Sequence, residues 1–114
     1  MISTTSENRF SPPDLEALVA HSDIPVLIDC FTPGCGPCAA LSPVLDELVN
    51  STQGQLAIEK IDVATYPEIA HRFGVRGVPT LLLFKGGQLH ASRTGAASRT
   101  QLLTWLSAQQ PFER

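Results

Sequence analysis

The chain has 114 residues, 8 Lys and Arg against 11 Asp and Glu for a net charge of -3, and 43% hydrophobic residues. That is one domain's length, enough to bury about 65% of the unfolded surface without a metal or disulfide staple, so the cysteines are free for chemistry. No Lys/Arg cluster is available to neutralise phosphates, and the longest apolar runs, Val26 to Ile28 and Leu81 to Phe84, fall far short of the roughly 18 residues of a membrane-spanning helix, which argues against nucleic-acid and membrane roles.

Residues 1–10 are polar apart from Ile2 and Phe10 and are expected to form a short edge strand or a weakly ordered start. With neither a basic start nor an apolar stretch there, no secretory signal is expected, and the expected compartment is the reducing cytosol. Ser11 before Pro12, Pro13 and Asp14 reads as a helix cap, and Leu15, Leu18 and Val19 then share one helical face. Ile24 to Phe31 is apolar except for Asp29, the pattern of a strand buried between two helical layers. After a Pro- and Gly-rich turn, Leu41, Val44, Leu45, Leu48 and Val49 mark an amphipathic helix that Pro43 is expected to kink.

Leu56 to Val63 reads as a second strand, and Pro67 opens a short helix carrying Ile69 and Phe73 that stops at Gly74. Pro79 to Phe84, Gly86-Gly87 and Leu89 to Thr94 form a hairpin. Ser98 and Gln101 make a capping box for a last helix with Leu102, Trp105 and Leu106 inward; residues 109–114 are a tail. With no repeat or linker, the expectation is a single α/β domain over 1–114, a mixed central β-sheet flanked by helices on both faces.

Cys35-Gly36-Pro37-Cys38 falls where the central strand gives way to the long helix. Open α/β sheets commonly hold reacting groups there. At a helix N-terminus the unpaired N–H groups and the positive end of the dipole favour thiolate, which makes Cys35 the candidate nucleophile. Cys38, one turn on, is placed to attack a mixed disulfide as the resolving thiol. Zinc sites and structural pairs use the same spacing. Cys30, Cys35 and Cys38 also match part of a plant-type iron–sulfur pattern, but no fourth cysteine exists and His21, His71 and His90 are scattered, so no metal is expected. Cys30 is expected to pack as a small hydrophobe. Asp29, in a doubly covered strand, should be desolvated and hold its proton to unusually high pH.

Several separated motifs in order resemble the thioredoxin family: Val26 to Asp29, Cys35-Gly36-Pro37-Cys38, Pro43, Lys60, Gly77-Val78-Pro79-Thr80 followed by Leu81 to Lys85, and Gly95-Ala96. The resemblance implies the thioredoxin fold and reduction of protein disulfides by a dithiol, Cys35 attacking and Cys38 resolving. It implies that Asp29 lies beneath Cys38 and assists its proton transfer with Lys60 nearby, against the alternative of a strand-end acid and a surface lysine. It implies a cis Pro79, with Gly36, Pro37, Val78, Gly95 and Ala96 forming a shallow substrate surface on which the Val78 backbone pairs an extended segment. An ordinary turn is the alternative for Gly95 and Ala96. No bound cofactor is implied; NADPH and flavin belong to the partner, thioredoxin reductase. The other partners are disulfide-containing proteins, and the chain is expected to be a monomer.

Two departures stand out: Gly34, after Pro33, occupies the position where thioredoxins usually carry Trp, and Ala39 the position of a common Lys or Arg. Both should change partner docking, and Ala39 should leave Cys35 less acidic than usual. Trp105 is expected away from the cysteines. The competing readings are a disulfide oxidase or isomerase, and a binding or chaperone module with little turnover.

Overall fold

A computed structural model describes residues 12–109. In chain order it has α1 (Pro12–His21), β1 (Val26–Phe31), α2 (Gly36–Thr52), β2 (Ala57–Asp62), α3 (Pro67–Phe73), β3 (Thr80–Lys85), β4 (Gln88–Thr94) and α4 (Arg99–Gln109). Expectations for the first ten residues, the Ser11 cap and residues 110–114 lie outside the described residues.

The four described strands form one sheet in the order β2-β1-β3-β4. β1 and β2 run parallel, while β3 is antiparallel to both β1 and β4. The parallel pair needs a long crossover, which α2 supplies, whereas β3 and β4 need only the Gly86-Gly87 turn. Both glycines take positive φ, 61° and 84°, the backbone that a tight hairpin turn matching the strand twist requires.

Alternation along β1 explains its nearly unbroken apolar sequence. Val26, Ile28 and Cys30 join Leu15 and Val19 of α1 and Ile69 of α3 on one face. Leu27 joins Leu41, Leu45 and Leu48 of α2 and Leu102 and Leu106 of α4 on the other. The expected mixed sheet with helices on both faces is therefore present, and β1 is central. Each leucine fully buried in these layers contributes about 1.5–3 kcal/mol. The same alternation turns Asp29 toward α2 and α4.

Strand ends shift by one or two residues from expectation: β1 begins at Val26 rather than Ile24, Leu56 and Val63 flank β2, Pro79 precedes β3, Lys85 extends it, and β4 begins at Gln88. Val49 departs more, standing 42% exposed. At about 100° per residue it lies roughly 80° around the helix from Leu41, at the rim of the covered arc. Helix α2 continues through Pro43. The Ser98–Gln101 capping box is formed, Ser98 Oγ accepting from the Gln101 N–H at 3.1 Å and Gln101 Oε1 from the Ser98 N–H at 2.9 Å. Trp105 packs partly buried in the α2/α4 layer.

Candidate active site

β1 runs between its two helical layers and releases the chain at Phe31 into a short turn, from which α2 starts. Cys35 is the N-cap of α2, with φ -85° and ψ 110°, and its sulfur accepts a hydrogen bond from the Cys38 N–H at 3.1 Å. Its carbonyl accepts from the Ala39 N–H at 3.1 Å. One turn of helix brings Cys38 back over Cys35, and the two form a disulfide with Cα atoms 5.2 Å apart. The pair is asymmetric: Cys35 is half-buried between exposed Gly34 and Gly36, whereas Cys38 is 7% exposed. An incoming sulfur therefore reaches Cys35.

Beside the disulfide is a cleft of about 480 Å³, bordered by Cys35, Gly36 and Cys38 and by Asp29 and Lys60. Asp29 is 2% exposed, and burial pushes its carboxyl up from an ordinary 3.8 to about 6, the Lys60 charge opposing the rise. Its Oδ1 is buried without a hydrogen-bond partner. Parallel register sets Lys60 beside Asp29 on the neighbouring strand. The Lys60 ammonium donates its hydrogen bond elsewhere, to Ser42 Oγ at 2.6 Å.

The other expected site residues gather at the same end of the sheet but outside this cleft. The Val78–Pro79 bond is cis. Because β3 runs antiparallel to β1, with Thr80 opposite Cys30, Pro79 stands at the end of β1 where the cysteine turn begins. The Pro79 carbonyl accepts from the Gly95 N–H at 2.8 Å, and Thr80 Oγ1 donates to the Gly77 carbonyl at 2.6 Å. Gly77 to Pro79 and Gly95 are thus tied together. Pro79 itself is buried, while Val78 and Gly95 are half-buried and Pro37 and Ala96 exposed. Trp105 does not line the cleft.

Phe31, Thr32, Pro33, Gly34, Ala39 and Ser42 complete the cleft wall. Sequence reasoning does not single out Ser42, although its place one turn after Cys38 on the same helix face is visible there. Cys30 is fully buried on the opposite face from Asp29, and burial, with Asp29's charge second, pushes its thiol up to about 12. Among the described residues no group of three His, Cys, Asp or Glu is placed to hold a metal ion, and no helix is long and apolar enough to cross a membrane.

A disulfide closed at the start of a helix, one sulfur reachable and the other shielded, defines the class: this is a thiol–disulfide oxidoreductase. The Thioredoxin family model matches residues 6–108, and the chain belongs to the thioredoxin family. It is similar to the thioredoxin of Haemophilus influenzae, 45% identical over 94 residues that cover 82% of this chain and 88% of that protein. The thioredoxin of Pseudomonas aeruginosa is 42% identical over 90 residues, 79% of this chain and 83% of its own. Thioredoxin 1 of Nostoc sp. is 40% identical over 84 residues, 74% and 78% respectively. These relatives favour a thioredoxin-type disulfide reductase over the oxidase, isomerase and binding-module readings.

Proposed function

We propose that the reduced protein is a cytosolic dithiol electron carrier acting as a single-domain monomer. The Cys35 thiolate attacks one sulfur of a protein disulfide and forms a Cys35 mixed disulfide with it as the substrate S–S bond breaks and the other substrate sulfur leaves as a thiolate. Asp29 accepts the Cys38 proton, and the Cys38 thiolate then attacks Cys35 Sγ, expelling the second substrate sulfur as a thiolate and closing the Cys35–Cys38 bond. Two electrons pass to the substrate. Lys60 sets the charge around Asp29, and no cofactor is bound: thioredoxin reductase returns the electrons from NADPH through its flavin.

Substrate recognition in this reading uses the surface of Gly36, Pro37, Val78, Pro79, Gly95 and Ala96. An extended segment pairs with the Val78 backbone, so selection rests on main-chain geometry rather than on one side chain. The observation that carries the reading is the Cys35–Cys38 disulfide capping α2, with the Cys38 N–H on the Cys35 sulfur. At that position the same N–H and the helix dipole stabilise a thiolate once the bond opens.

The test uses Cys35→Ser, Cys38→Ser and the double variant against a disulfide-containing protein with NADPH and thioredoxin reductase. Cys38→Ser should accumulate a mixed disulfide visible by mass, and the other two should reduce nothing. Substrate reduction by the double variant at the wild-type rate would refute the mechanism.

A further inference from the structure

Resting on this reading of Asp29 as the proton acceptor for Cys38, the contacts of Lys60 point to a further residue. Lys60 stands beside Asp29 in register, and opposite charges on neighbouring strand positions ordinarily pair. Here the ammonium is hydrogen-bonded to Ser42 Oγ at 2.6 Å, and Asp29 Oδ1 is left buried and unpartnered. All three residues line the cleft that also contains Cys38. We propose that Ser42 is a positioning residue that holds the Lys60 ammonium on its hydroxyl and off the Asp29 carboxyl, keeping that carboxyl unpaired for exchange of a proton with Cys38.

The chemistry favours such a device. A carboxylate paired with an ammonium is a weak base, and general-base efficiency follows base strength near the working pH. A carboxylate with no cation near it would be costly to ionise in this setting. Ser42 holds Lys60 between these limits, close enough to act on Asp29 through its charge and engaged elsewhere for its hydrogen bond.

The groups around Asp29 leave few other sources for the effect. From β2 the facing charge is Lys60, with Glu59 turned to the opposite face; from α2 come Cys38 and Ser42. The β3 neighbour is apolar Leu81, and Arg93 of β4 lies beyond it. Cys30, next in β1, faces the other layer and keeps its proton.

The experiment titrates the Asp29 side-chain carboxyl by carbon NMR from about pH 4 to about pH 8, in the wild type, Ser42→Ala and Ser42→Thr, each also with Lys60→Met. Alanine is a strong helix former, so Ser42→Ala should fold. Freed from the hydroxyl, Lys60 should pair with Asp29 and lower its titration midpoint by about one pH unit. The rate of mixed-disulfide resolution at neutral pH should fall about two- to fourfold as the base weakens. Ser42→Thr keeps a hydroxyl and should titrate as the wild type does. In the Lys60→Met background Ser42→Ala should have no further effect. An unchanged or higher midpoint in Ser42→Ala, or the same shift without Lys60, overturns the proposal. The NMR midpoint is independent of turnover: a wild type that resolves no mixed disulfide would refute the proposed function and leave the Ser42 result standing on its own.

Discussion

Asp29 should make the protein less stable as the pH rises toward neutrality, and the size of the effect follows from its burial. In the unfolded chain the carboxyl titrates near an ordinary 3.8; in the folded protein burial raises it to about 6. Below about pH 3 the group is protonated in both states and has no effect. Between those values the unfolded chain ionises while the folded one holds its proton, so rising pH increasingly favours unfolding, and the loss is complete above about pH 7. At 1.36 kcal/mol per pKa unit the rise from 3.8 to about 6 corresponds to about 3 kcal/mol. Asp29→Ala removes the titration and leaves a small packing defect that is the same at every pH. Urea unfolding of both proteins with the disulfide intact, at about pH 3, 5, 6 and 7, should show the variant gaining about 3 kcal/mol on the wild type across the series. With slopes of about 1–3 kcal/mol per molar urea, the midpoints separate by about 1–3 M. A stability difference that stays constant from about pH 3 to about pH 7 would refute the claim that the folded protein holds this carboxyl in a desolvated state.

Cys30 should be inert: after reduction, iodoacetamide at about pH 8 should add to Cys35 first and not to Cys30, and to all three cysteines only in denaturant, because the Cys30 thiol is fully buried and pushed up to about 12. Labelling of Cys30 in the folded protein would contradict its place in the core. At Gly34, φ is +78° and the space where a Cβ would stand is open. Gly34→Trp should therefore cost about 1–2 kcal/mol in backbone strain while restoring an aromatic lip. Its kcat/KM with the thioredoxin reductase of a Trp-bearing relative should rise about tenfold, the worth of one aromatic contact of about 1.4 kcal/mol. Equal kinetics for the wild type and Gly34→Trp would show that the lip does not govern docking.

Much of the architecture is readable because chemistry and periodicity agree along the chain. β1 announces itself as central through an apolar run too short for a helix, and its one acid is informative for the same reason: Val26 to Cys30 are buried on both faces of that strand. The cysteine pair is legible from its place between strand and helix, and the N-cap hydrogen bond to Cys35 is what that place predicts. The cis bond at Pro79 is not readable from local residues; it follows only from the resemblance. Val49 stands outside its expected layer because five apolar positions fit a helical stripe of which the covering layers bury only the central arc.

Ser42 was hidden for a different reason. A serine in a helix reads as one more solvated hydroxyl, and nothing in its neighbours along the chain marks it. Its partner Lys60 lies 18 residues away on a strand, and the reason the contact matters lies on another strand again, at Asp29. Periodicity identifies which face a residue occupies, and it cannot say which polar group waits across the gap. The residues that carry electrons here are written in local spacing, whereas those that adjust the proton affinity of the site become visible only when three elements meet. The two departures from the family pattern belong with the second group. Gly34 and Ala39 border the same cleft as Asp29, Ser42 and Lys60, and these two positions bring to it neither a ring nor a second cation. Among the described residues Lys60 is thus the one cation lining the cleft, and where its hydrogen bond goes matters more than it would in a site crowded with positive charge.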